Sequence, residues 1–278
     1  MIMKRLSQCL LLIILSATAA GQETSTVQYL ANEGLMVTHG DTKVLFDPLY
    51  NNSYDTYQMV PSQMVNAIFA GERPYDDVDA VFVSHYHGDH FSAKDMLRLL
   101  RERQNIHLYA PAQAVASMRE IATDGDEELF ERASMFDLEY GDAPAFIRKE
   151  GLLIEALHVP HSGWPTARTD IQNVAFRVTL EDTSTVLHLG DSDARLVHFE
   201  QDEAYWDERT VDLAFPPYWF YLSEDGREIL DDRVHARNSI GIHVPAEFAD
   251  DPSSVPSELA GDDLFTRPGE GRRFIGSQ

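Results

Sequence analysis

Apolar and polar residues alternate in short runs broken by glycine, asparagine and aspartate, a pattern of strands rather than of long helices. Residues 27–29, 34–38 and 43–48 read as opening strands. The last two join through a hairpin turn at Gly40-Asp41, which makes His39 a turn residue and not a ligand. Residues 78–84 predict a buried strand, and Ser92-Ala93-Lys94-Asp95 is a capping box that opens a helix over about 92–104. A short strand at 106–109 and helices at about 111–122 and 126–134 follow, the first opening at Pro111. The second half predicts two hairpins, 146–149 with 152–159 and 174–180 with 185–189, then strands at 211–215 and 240–244. Strand-rich halves with helices between them imply a layered α/β domain rather than a single parallel sheet. Residues 50–77 are irregular and aromatic, a loop that either walls a substrate site or packs on the surface.

The two ends of the chain differ from this pattern. Lys4 and Arg5 precede a short apolar run at 9–15 and the small residues Ser16-Ala17-Thr18-Ala19-Ala20. That order predicts a secretory signal over residues 1–20, too short to span a bilayer permanently. Residues 21–249 are then the globular domain, and 250–278 a proline- and glycine-containing tail that forms an edge segment or is partly disordered. Export, to the periplasm or the medium, would remove Cys9, the only cysteine, so no disulfide is required of an oxidising compartment.

Charge narrows the partners. The 22 basic residues less Lys4 and Arg5 leave 20 against 46 acidic ones, a formal charge of −26. Such a surface repels phosphate backbones and anionic lipid, so a small-molecule substrate is expected and nucleic acid is not.

The densest chemistry lies in Ser84-His85-Tyr86-His87-Gly88-Asp89-His90, three histidines and an aspartate on one turn at the carboxyl end of a strand. Open α/β sheets place their sites at such ends. Three later strand ends also carry donors: His158 and His161, then His188, Asp191 and Asp193, then His243. Imidazole and carboxylate together suit zinc. His188 is expected to pack, His107 and His198 have no strand-end context, and His235 is expected at the surface. The aromatic run Phe215-Pro216-Pro217-Tyr218-Trp219-Phe220-Tyr221 lines a pocket or packs against the core.

Taken together, His85, His87, Asp89, His90, His161, Asp191 and His243 resemble the metallo-β-lactamase superfamily and its histidine-x-histidine-x-aspartate-histidine signature, over residues 27–245. The resemblance implies a four-layer αββα sandwich with the metal site at the sheet edge. It implies two divalent ions, zinc favoured, with His85, His87 and His161 on one and Asp89, His90 and His243 on the other. Asp191 would bridge them. His161 fits the family pattern better than His158, because it stands in His161-Ser162-Gly163. The activity implied is that of a metal-dependent hydrolase, in which a metal-bridging hydroxide attacks an ester, lactone, amide or phosphodiester and Asp89 orients the nucleophile or the leaving-group proton. A persulfide dioxygenase-like oxidoreductase with a single iron is the alternative on the same fold.

Overall fold

The computed structural model describes residues 24–149, 151–200 and 203–276. The expected signal segment lies outside the described residues, as does Glu150 in the expected Glu150-Gly151 turn.

Two sheets are stacked face to face. The first contains β1 (Thr24–Ala31), β2 (Gly34–His39), β3 (Thr42–Phe46), β4 (Ala80–Phe82), β5 (His107–Pro111) and β6 (Ala133–Phe136). The second contains β7 (Ala145–Lys149), β8 (Leu152–His158), β9 (Val174–Leu180), β10 (Ser184–His188) and β11 (Leu213–Phe215). A final strand, β12 (Gly271–Ile275), returns to pair antiparallel with β1. The first sheet therefore runs β12-β1-β2-β3-β4-β5-β6 and the second β11-β10-β9-β8-β7. Hairpins make one end of each sheet antiparallel, whereas β3 to β6 are parallel, and so are β10 and β11.

Strand side chains alternate between faces, and this period of two sorts the core into layers. Val44, Phe46, Ala80 and Phe82 point between the sheets and meet Ile154, Phe176 and Val178 from the other side. Leu45, Val81 and Val83 point outward onto helices α1 (Ser62–Ala70), α2 (Ala93–Glu102) and α3 (Ala112–Ile121). On the far side Leu187, Leu189 and Ala214 pack under Phe199, Trp206, Phe220 and Ile229 from short helical segments. The result is a four-layer αββα sandwich. Ring stacking continues through the middle, with Phe46 on Phe82 at 4.9 Å and Phe82 against Phe176 at 5.2 Å between centroids.

Several expectations need correction. The 50–77 stretch contains α1, whose start carries no sequence signal: Pro61 caps it without a side-chain hydrogen bond, and its first turn has no acid. Burial of Ile68 and Phe69 forms it instead. By contrast, Ser92 caps α2 as the sequence predicts, accepting from the Asp95 amide. The expected helix at 126–134 is a run of 3-10 turns over Asp124–Arg132, and β6 follows where no strand was expected. Residues 240–244 are not a ladder strand. Isolated bridges pair Ile242 with Pro217 and Gly241 with Leu264 instead, and Pro216 and Pro217 have no N–H with which to extend the ladder from β11. His39 ends β2 and ties the two sheets together, its ring bonded to Ser25 and Thr183 at 2.9 and 2.8 Å. Among the described residues, no helix is long and apolar enough to cross a membrane.

Candidate metal centre

The turn after β4 is tight because His90 and Phe91 both donate to the His87 carbonyl, at 3.0 and 2.9 Å. That turn points His85, His87, Asp89 and His90 into the gap at one edge of the two sheets. The Gly190-Asp191 turn after β10 meets it there. Gly190 has φ +55°, and a Cβ on it would lie 2.4 Å from Asn173 Oδ1 and 2.7 Å from Ser84 Cβ, so only glycine fits. Asn173 locks the junction: its amide donates to the Val159 and Leu189 carbonyls, and its Oδ1 accepts from the Asp191 amide at 2.9 Å. His243 has φ +58° and its N–H donates to Asn32, which turns the ring back to the same point.

All seven residues singled out from the sequence converge, in two groups. His85, His87 and His161 gather with Asp191, and Asp89, His90 and His243 form the second group. Asp191 divides its oxygens between them. Oδ2 lies 3.1 Å from His161 Nε2 and 3.9 Å from His85 Nε2, while Oδ1 lies 3.0 Å from His243 Nε2 and 3.3 Å from His90 Nε2. His158 is not in either group.

The donor spacing fits metal ions. Ligands at 2.0–2.1 Å around a tetrahedral ion stand about 3.3 Å apart. His85 Nε2 and His87 Nδ1 are 3.0 Å apart, His87 Nδ1 and His161 Nε2 3.2 Å, and His90 Nε2 and His243 Nε2 3.2 Å. A buried acceptor points the same way: among the described residues Asp89 Oδ1 has no hydrogen-bond partner.

Electrostatics splits the cluster into unlike halves. Burial, reinforced by the charge of His90, holds His85 well below the usual imidazole range, and burial with His161 brings His87 down to about 4. These rings are neutral and offer lone pairs to a cation. Burial also disfavours charge on His90 and His243, but Asp191 outweighs it, raising His90 well above its usual value and His243 to about 10. Asp191 is itself held well below the carboxylate range by His243 and His90, against the effect of burial. The carboxylate side of the cluster therefore demands positive charge.

Residues that the sequence reading passed over support the donors. Asp47, at the end of β3, takes hydrogen bonds from the Ser84 amide and hydroxyl and from His90 Nδ1. Its signal was the same as that of Asp191, an acid ending an apolar strand. Glu33 is fully buried beside His90 and His188, with neither carboxylate oxygen hydrogen-bonded, and it groups with Asp191 and His243. Burial pushes its pKa far up. No sequence pattern marks it, because only the β1–β2 turn carries it inward.

The remaining histidines lie elsewhere. His188 stacks on Phe46 and bonds the Glu33 carbonyl, His198 bonds Asp193 and Tyr140, His107 bonds Ser134 and Lys149, and His235 pairs with Asp207 at the surface. The two aromatic stretches divide the roles left open by the sequence. Tyr54 and Tyr57 from 50–77 line the cavity over the donors. Trp219 packs on His243 at 5.2 Å and donates to the Ser192 carbonyl, so it buttresses a donor rather than facing the cavity.

A four-layer αββα sandwich with a histidine-aspartate cluster at its edge defines a metal-binding hydrolase fold of the metallo-β-lactamase class. A family model described as "Beta-lactamase superfamily domain" matches residues 42–235, more than half of the chain, so the chain belongs to that superfamily. No curated protein matches it. Solved structures similar in fold include a metallo hydrolase from the archaeon Ignicoccus hospitalis, at 16% identity and TM-score 0.57, covering 90% of this chain and 98% of that one. Another is an isothiocyanate hydrolase from Delia radicum gut bacteria, at 13% identity and TM-score 0.53, covering 89% and 98%. A third is a diiron beta-hydroxylase from Streptomyces venezuelae, at 15% identity and TM-score 0.51, covering 91% of this chain and 54% of that one.

Proposed function

We propose that this protein is an exported hydrolase that cleaves an ester, lactone, amide or phosphodiester bond of a small molecule with two divalent ions, most simply zinc. The observation that carries the reading is the division of Asp191, one oxygen toward each donor group. His85, His87 and His161 would hold one ion, Asp89, His90 and His243 the other, and Asp191 would bridge them. Two ions so held supply a nucleophilic hydroxide near neutral pH and stabilise negative charge on the attacked group.

The chain's own residues do the rest. The Asp89 carboxyl is buried, which raises its pKa, but the hydrogen bond from His243 and the charges of His90 and His243 outweigh that and keep it ionised. Its unbonded Oδ1 can therefore accept and hold the proton of an attacking water or pass one to a leaving group. Asp47 fixes His90 by accepting from Nδ1, leaving Nε2 for the centre. Tyr57 packs edge-on to His243, with ring centroids 4.1 Å apart, and with Tyr54 forms one side of the cavity. The strongly acidic composition supports a small substrate over nucleic acid.

Metal analysis of protein from its native compartment, paired with a panel of ester, lactone, β-lactam and phosphodiester substrates, tests this. Two zinc ions with hydrolysis is the expected result. A single iron with oxygen consumption on a persulfide overturns it. Amino-terminal sequencing of the secreted or periplasmic protein is expected to begin near residue 21; recovery of an intact Met1 end in the cytoplasm would overturn the export reading.

A further inference from the structure

The cavity above the donor cluster measures about 340 Å³, with Tyr54, Thr56 and Tyr57 on its wall and His87, His161, Asp89, Asp191 and His243 at its base. One cation joins this lining, Arg168. Many of the other arginines are committed to acids, though Arg103, Arg132 and Arg267 donate to backbone carbonyls instead. Arg98, Arg101, Arg148, Arg195, Arg227 and Arg272 each approach a carboxylate to between 2.6 and 2.8 Å. Arg168 has no carboxylate partner among the described residues; its Nη1 donates only to the Ser162 carbonyl, at 3.1 Å. A guanidinium carries five N–H donors, so most of its capacity for a planar anion is uncommitted.

The loop that bears Arg168 is held in place. Trp164 sits edge-on to His198 at 4.9 Å and lies under the Arg195 guanidinium at 4.9 Å, while Thr166 and Ala167 donate to the Gly163 carbonyl. Arg168 itself adopts φ +56°, a conformation that side chains other than glycine rarely take, and its carbonyl accepts from Ile171. The same loop starts at His161, so the backbone that carries the cation is tied to one of the donors. Two divalent ions held at the base would more than neutralise Asp89 and Asp191, and Arg168 would then add to a positive field within a protein of net charge −24.

We propose that Arg168 selects substrates carrying an anionic group, a carboxylate or a phosphate, beside the bond that is cut. This rests on the hydrolase reading and narrows it to small anionic substrates. Charge-assisted, bidentate recognition gives specificity as well as affinity, and removing it is expected to cost about 10- to 100-fold in discrimination.

Three nitrophenyl esters of matched shape test this on the metal-loaded protein: the butyrate, the hemisuccinate and the 3-phosphonopropionate. The expected result is a kcat/KM at least about tenfold higher for one or both anionic esters than for the butyrate. That ratio should fall toward one in Arg168→Ala and be partly retained in Arg168→Lys. The larger of the two ratios tells a carboxylate substrate from a phosphate one. A wild-type ratio near one, or a ratio that Arg168→Ala leaves unchanged, overturns the proposal. If the wild-type protein binds metal but cleaves none of the esters, the ester reading fails, and calorimetric binding of succinate and phosphonopropionate still decides on Arg168. About tenfold weaker binding to Arg168→Ala supports it; equal binding overturns it.

Discussion

Asp47 Oδ2 lies 2.9 Å from His90 Nδ1, and the same carboxylate accepts from the Ser84 amide that opens the donor turn. Asp47 thus fixes both the tautomer of His90 and the register of the segment carrying four donors. Asp47→Asn keeps the size but no longer accepts from every partner. Metal competition should show affinity at the Asp89, His90 and His243 position falling by about 10- to 100-fold. Occupancy of the other position should fall less.

His161 and His158 are separated by one short loop and differ in every relevant contact. His161 Nε2 stands 3.2 Å from His87 Nδ1, whereas His158 Nδ1 is buried without a hydrogen-bond partner, away from both donor groups. His161→Ala is expected to lose metal on measurement by elemental analysis, and His158→Ala to retain most of it. The opposite pattern would reassign the ligand.

Arg177 and Glu155 form an ion pair wholly buried in the second sheet, with bonds of 2.9 and 2.7 Å. Arg177 also donates to the Tyr205 carbonyl and lies over the Tyr205 ring. Arg177→Met leaves a buried carboxylate facing apolar neighbours, with only the partly exposed Arg209 at 3.3 Å to offset it. Denaturant unfolding should record a loss of about 3–5 kcal/mol. Replacing both partners, Arg177→Met with Glu155→Leu, should recover much of that, because no charge is then stranded.

His107 gives the fold a pH dependence away from the metal donors. Burial lowers its pKa to about 4, and the charges of Lys149 and Arg132 add to the shift. Lys149 donates to Nδ1 at 2.8 Å, which requires the neutral ring. Since the folded value lies below the ordinary 6.5, the unfolded chain binds more protons between about pH 4 and 6.5. This contribution is complete above pH 6.5 and is lost as pH falls toward 4. His107→Gln should therefore flatten the unfolding midpoint as a function of pH across that window. An unchanged slope would remove His107 as the cause.

Elements with strong local patterns were legible. The capping box at Ser92 announced α2, and short apolar runs bounded by turn residues announced β2, β3, β8 and β9. α1 was not, because its helix-start signals are missing and its stability comes from burying Ile68 and Phe69. β6 escaped because a short exposed-edge strand has little alternation to read. β12 lies in a weakly patterned tail and is held by its partner β1, more than two hundred residues away in sequence.

Sequence by itself determined the donor types, their order and their place at strand ends, because metal chemistry restricts ligands to few residue types and strand ends are locally encoded. Residue types and spacing alone could not determine which donors gather together. Asp191 reaches both groups only because the Gly190 turn, Asn173 and the stacked sheets bring strand ends more than a hundred residues apart to one edge. Nor could the sequence show that Glu33 lies buried beneath the donors or that Arg168 faces the cavity without a carboxylate partner among the described residues. Those are properties of distance and burial between remote segments, and they exist only once the two sheets have packed.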